Sequence, residues 1–185
     1  MEFIKKEPII FLVAGKARSG KSTVAKIIEE EYSKKNKKVL VTQVTKYLKN
    51  YIEEITGNKV SDFNKPRELL QKISSVVIKD KLGMSNFFTD RLLEDLKIYS
   101  YFFDVIIVSD VRFESEIEIV KKNFSTSISI GVIRENYESD LSLEEKNDIT
   151  EVALDNYNGY DYKIVNNNDD LYFMVNDILK DIGSY

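Results

Sequence analysis

Apolar residues along the chain fall into two regimes that take turns. Short runs rich in β-branched residues occur at Ile9-Ile10-Phe11-Leu12-Val13-Ala14, 39–44, 104–110, 128–133 and 162–165, and each predicts a strand. Between them the apolar positions recur at helical spacing. Val24, Ala25, Ile27, Ile28 and Tyr32 predict a helix over about 21–35, and a second, near 46–55, stops at Gly57. A third starts with Pro66 at its first helical position and presents Leu69, Leu70, Ile73, Val76 and Val77 before Gly83. A fourth, with Ser85 as N-cap, carries Leu92, Leu93, Leu96 and Tyr99. Shorter helices are predicted over about 113–122 and through Val152, Ala153 and Leu154, the latter with Asp148 and Glu151 as a capping box. A last helix covers about 171–182.

Strands alternating with helices of these lengths predict a three-layer α/β fold, a five-stranded parallel sheet with helices on both faces. One domain over 1–185 suffices, and no linker, repeat or low-complexity segment divides it. Residues 134–148 are polar and aperiodic, which predicts a lid, and the helices over about 46–103 form a separate region on one side. Ligands of such sheets bind beyond the carboxyl ends of the strands, where Gly15 and Asp110 both fall.

The first strand runs directly into Gly15-Lys16-Ala17-Arg18-Ser19-Gly20-Lys21-Ser22-Thr23, a full G-x-x-x-x-G-K-[ST] pattern. Its glycines let the backbone wrap closely, so that successive N–H groups and a helix N-terminus face phosphate oxygens. Lys21 is placed to reach the β- and γ-phosphates, and Ser22 to coordinate Mg²⁺. Asp110, ending a hydrophobic strand, has the position of a second Mg²⁺-holding group, the alternative being a helix cap. Arg112 either contacts phosphate or pairs with Glu116.

Composition narrows the chemistry. The chain of 185 residues has no Cys and no His, which excludes disulfides, thiolate catalysis, imidazole bases and His-ligated zinc. Carboxylates, Lys, Arg, hydroxyls and a hard cation remain, and these suffice for phosphoryl transfer. A formal charge of −4 speaks against a nucleic-acid surface, and the Lys-rich stretch over 34–38 reads as a solvated helix end. With 43% hydrophobic residues and no apolar run long enough to span a bilayer, the expectation is a cytoplasmic protein with no membrane partner, a monomer or homodimer. Only Arg18, Arg67, Arg91, Arg112 and Arg134 are arginines among 27 basic residues, so each is a candidate for bidentate anion contact.

Three blocks, Gly15-Lys16-Ala17-Arg18-Ser19-Gly20-Lys21, Pro66-Arg67-Glu68-Leu69-Leu70-Gln71 and Asp110-Val111-Arg112-Phe113-Glu114-Ser115-Glu116, resemble those of the phage-type deoxynucleoside monophosphate kinases. The stretches 150–157 and 161–166 are similar to that family's closing segment, and the likeness is collinear over most of the chain. The resemblance implies a P-loop kinase fold and transfer of the ATP γ-phosphate to a deoxynucleoside monophosphate, with ATP and Mg²⁺ as cofactors and a small nucleotide as acceptor. It makes Arg67 the clamp on the monophosphate and Gln71, one helical turn on, a contact to base or sugar, with Lys49 and Arg91 as further acceptor-side groups. A solvated helix position is the alternative for Lys49, Arg67 and Arg91. Arg134, at the foot of the expected lid, is the candidate for stabilising charge on the transferred group, or else a surface arginine beside Glu135. The chain departs from the family at Ser22, where Asp is frequent, and at Ser74-Ser75, where Gly-Thr is frequent. Two other readings stay open: a kinase of another small phosphorylated metabolite, and an ATP-binding regulatory protein with little turnover. No N-K-x-D element follows a later strand, which disfavours a GTPase.

Overall fold

A computed structural model describes residues 3–60, 66–134, 149–167 and 170–183, with the side chain of Arg67 excepted. The expected lid over 134–148 lies outside them except for Arg134. Five strands, β1 (Ile9–Ala14), β2 (Val39–Thr42), β3 (Val105–Val111), β4 (Ser127–Ile133) and β5 (Tyr162–Val165), form one sheet in the order β2-β3-β1-β4-β5. All four pairings are parallel. The helices among the described residues are α1 (Lys21–Lys34), α2 (Lys46–Thr56), α3 (Arg67–Gln71), the π-helix Lys72–Lys81, α4 (Phe87–Tyr99), α5 (Glu114–Asn123), α6 (Ile149–Val152) and α7 (Leu171–Asp181).

The near-continuous apolar runs are explained by burial on both faces, because successive strand side chains point to opposite sides. Phe11, Val13, Val105, Ile107, Ile130 and Val132 pack under Val24, Ile28 and Tyr32 of α1 and Val175 and Leu179 of α7. Ile10, Leu12, Ile106 and Val108 pack instead under Leu92 and Leu96 of α4 and Ile117 and Val120 of α5. Leu48, Ile52 and Leu70 build a smaller third cluster that joins α2 to α3 beside the main sheet.

Several elements differ from the sequence expectation, each for a local reason. The strand expected over 39–44 ends at Thr42, because the amides of Val44 and Thr45 turn away to Asp110. The helix expected to run evenly from Pro66 becomes a π-helix at Lys72, and Pro66 is its cap rather than its first residue. The helix after Gly83 is capped at Asn86, not Ser85. The capping box expected of Asp148 and Glu151 involves Asp148, which lies outside the described residues; the Glu151 carboxylate reaches two groups far away in sequence, and α6 is a single turn.

Candidate functional site

Gly15 follows the last residue of the central strand with φ +146°, and a Cβ there would strike the Val132 carbonyl of β4. Gly20 sits at φ +110° just before α1, where a Cβ would come within 2.7 Å of Asn166 Nδ2. Both positions therefore need glycine, and both let the loop pack against its neighbours rather than stand off from them. Between them Arg18 takes φ +60°, a left-handed conformation that a non-glycine residue adopts only when its surroundings impose it.

The loop is tied down from the end of β5. Asn166, buried one residue past that strand, donates from Nδ2 to the Ser19 carbonyl at 2.8 Å. With Gly20 as N-cap and no acidic residue in the first turn, the N-terminus of α1 keeps its positive end directed at the loop. Lys21, only 8% exposed, donates to the Lys16 carbonyl across the loop. A recess of about 510 Å³ opens between Lys21, Ser22 and Thr23 on one side and Arg134, Asn166 and Leu171 on the other. Arg134 donates from Nη1 to the Arg18 carbonyl at 3.3 Å, so this guanidinium lies against the loop.

On the neighbouring strand end, β3 carries one extra residue against β1, since Leu12 pairs with Val108 but Ala14 with Val111. Such a bulge re-aims the side chain it contains. Here it turns Asp110 toward the β2–α2 turn, where its carboxylate accepts from Val44 N at 2.6 Å, Thr45 N at 3.3 Å and Thr45 Oγ1 at 2.5 Å. Arg112 does not pair with Glu116 through its guanidinium, as one sequence reading had it. Its backbone N–H donates to Glu116 at 2.8 Å, while Nη1 pairs with Glu151 at 2.9 Å. The other oxygen of Glu151 accepts the Ala17 N–H of the loop at 2.7 Å. Lys16 is bound in turn to Asp155 at 2.7 Å. Burial pushes the Glu116 carboxyl up to about 7 against the pull of two backbone N–H donors, those of Arg112 and Phe113.

The acceptor-side candidates spread more widely. Arg67 and Gln71 open and close α3, and Ser75 of the π-helix donates to the Gln71 carbonyl at 2.7 Å. Lys49 donates to Gln43 Oε1 at 2.6 Å. Arg91 is exposed, paired with Glu94 at 2.8 Å and lying over the Tyr47 and Phe87 rings. Near it, Lys46 binds Asp95 and the Tyr99 hydroxyl; burial opposes its charge, but those two bonds outweigh it and raise its pKa.

The sequence reading missed Thr45, Glu151, Asp155 and Asn166 around the loop. Asn166 was the most accessible of them, since a polar residue ending a hydrophobic strand at the ligand-binding edge is a signal in itself. The fit of the loop to a nucleotide rests on its cradle: two glycines that let its backbone lie close against β4 and Asn166, a helix N-terminus, and Lys21 within it. Ser22 is exposed at the head of α1, as a ligand to a Mg²⁺ also held by phosphate and water must be.

A strand-loop-helix cradle on the central strand of an all-parallel β2-β3-β1-β4-β5 sheet, covered by helices on both faces, is the fold of the P-loop kinases. The APS kinase of Mycobacterium tuberculosis, in complex with AMPPNP and APS, superposes with a TM-score of 0.61 at 10% identity, covering 97% of this chain and 99% of that one. Shikimate kinase of Aquifex aeolicus gives 0.54 at 15% identity over 95% and 96%, and shikimate kinase of Acinetobacter baumannii in complex with shikimate gives 0.52 at 14% over 97% and 95%. No protein-family model and no curated protein matches the sequence.

Proposed function

We propose that the chain is an ATP-dependent kinase that phosphorylates a (deoxy)nucleoside monophosphate, giving ADP and a nucleoside diphosphate. The observation that supports this reading is the placement of Arg112: its guanidinium shares the Glu151 carboxylate with the Ala17 N–H, which sets a cation beside the leading edge of the phosphate loop, where charge on a group passing between two phosphates has to be neutralised. A monophosphate acceptor attacks through an oxygen that is already anionic, so a site built without histidine needs no general base.

In this reading the residues divide the work. The amides of Gly15 to Thr23 bind and orient the nucleotide phosphates, and Lys21 leaves the Lys16 carbonyl to neutralise the β- and γ-phosphates. Mg²⁺, held through Ser22 with Asp110 in its surroundings, supplies further charge neutralisation when bound. Arg112 and Arg134 balance charge developing on the transferred group. Arg67 clamps the acceptor phosphate from the start of α3, Gln71 contacts its base or sugar, and Lys49 borders the same side. The resemblance in the R-E-L-L-Q and D-V-R-F-x-x-E blocks supports the nucleotide acceptor. The structural neighbours favour a second reading, a kinase of another small acceptor, since by name they act on APS and shikimate.

Coupled measurement of ADP release with MgATP and a panel of deoxynucleoside monophosphates decides between them. Acceptor-dependent release is expected, lost in Lys21→Ala, and in Arg67→Ala weakened mainly through an acceptor KM raised about tenfold or more. Release with APS, shikimate or another non-nucleotide acceptor alone moves the function to the second reading. Nucleotide binding without turnover on any acceptor leaves a binding protein.

A further inference from the structure

The carboxylate of Glu151 occupies a place that belongs to a phosphate. Its Oε2 accepts the Ala17 N–H at 2.7 Å and its Oε1 takes Arg112 Nη1 at 2.9 Å, so one anionic group spans a loop amide and a guanidinium. The side chains are well shielded, Arg112 at 19% and Glu151 at 12% exposure. A backbone donor and an arginine on opposite oxygens are the means by which proteins hold phosphoryl groups. The segment that brings Glu151 makes a second grip four residues on, with Asp155 on Lys16 at 2.7 Å. Two anions are thus delivered to the leading edge of a loop whose side chains include Lys16, Arg18 and Lys21.

We infer that the Ala17 N–H and the Arg112 guanidinium form the seat of the transferred phosphoryl group, and that Glu151 is the resident anion of that seat. Two anions cannot share one donor pair at these distances without strong repulsion, so a nucleoside triphosphate has to expel Glu151 and a diphosphate does not. Glu151 is then a specificity residue that sets the relative affinity of the chain for ATP and ADP. When the terminal phosphoryl group has left, the carboxylate returns to Ala17 and Arg112 and keeps both satisfied. The inference rests on the reading of the loop as an ATP site, and the identity of the acceptor does not enter it.

Calorimetric titration of the full chain with MgATP, MgAMPPNP and MgADP tests it. Glu151→Gln keeps shape and hydrogen bonding while removing the charge, and Glu151→Ala removes both. In each, the two triphosphates are expected to bind about five- to tenfold more tightly while ADP changes by less than about twofold. Equal shifts for di- and triphosphates, or weaker triphosphate binding, overturn the inference and make Glu151 a brace for the loop. In the unmodified protein the Ala17 amide resonance is expected to move farther on addition of MgAMPPNP than on addition of MgADP, a readout independent of either variant's folding. The same movement with both nucleotides overturns the inference. A wild-type chain that binds neither nucleotide overturns the proposed function together with it, whereas binding without turnover on any acceptor overturns the kinase reading alone.

Discussion

Glu116 illustrates how a single residue can be both structural and titratable. It is buried at the first turn of α5 and accepts the N–H groups of Arg112 and Phe113, which fixes the backbone that carries the Arg112 guanidinium. Its carboxyl is pushed up to about 7 from an ordinary 4.5, so between those values the folded chain holds a proton that the unfolded chain has released. Stability contributed by that proton is present below about 4.5 and is lost as the pH rises through 7. Urea unfolding of wild type and Glu116→Gln across this window is expected to show a downward slope with pH in the wild type that the variant lacks. At the same scale, the glycine-rich loop was legible in the sequence because the G-x-x-x-x-G-K-[ST] pattern names its residues directly, whereas the Glu151 partner of Arg112 was not among the readings that the sequence offered. Local spacing offered Glu151 a helix cap, while its partners, Ala17 and Arg112, lie 134 and 39 residues away.

At the scale of elements, the β2–α2 turn hangs on Asp110. The bulge in β3 aims this carboxylate at three donors on Val44 and Thr45, which orients the start of α2 and with it the helical side of the site. Replacing it by Asn puts an amide NH₂ against backbone N–H groups. Asp110→Asn is therefore expected to lose about 1–3 kcal/mol of stability in the presence of EDTA, measured by denaturant unfolding. A residue serving only Mg²⁺ shows no such loss in chelator. The strands and most helices were readable from periodicity because burial on one or two faces writes itself into the spacing of apolar residues. The π-helix was not, because the apolar residues of that stretch are written at α-helical spacing, yet the wider turn leaves Val76 and Val77 of the expected face exposed and buries Ile78. The bulge was equally silent, since it is a property of two strands 96 residues apart.

For the whole molecule, the proposed nucleotide site is coupled to global stability, because the loop touches β4, the end of β5, α6 and the segment after it at once. MgATP at about 100 times its dissociation constant adds about 2.7 kcal/mol. At roughly 2–4 °C per kcal/mol for a domain of this size, the melting temperature is expected to rise by about 5–10 °C. Scanning fluorimetry is expected to show this rise in the wild type and none in Lys21→Ala. The sheet order adds a constraint in time. Strand β1 lies between β3 and β4, and the Ser19 carbonyl finds its Asn166 partner 147 positions later. A ribosome adding about 5–20 residues per second needs about 7–30 s to make that stretch. The loop thus leaves the ribosome well before the residue that ties it down, and on the proposed function nucleotide can reward only chains in which the end of β5 has already emerged.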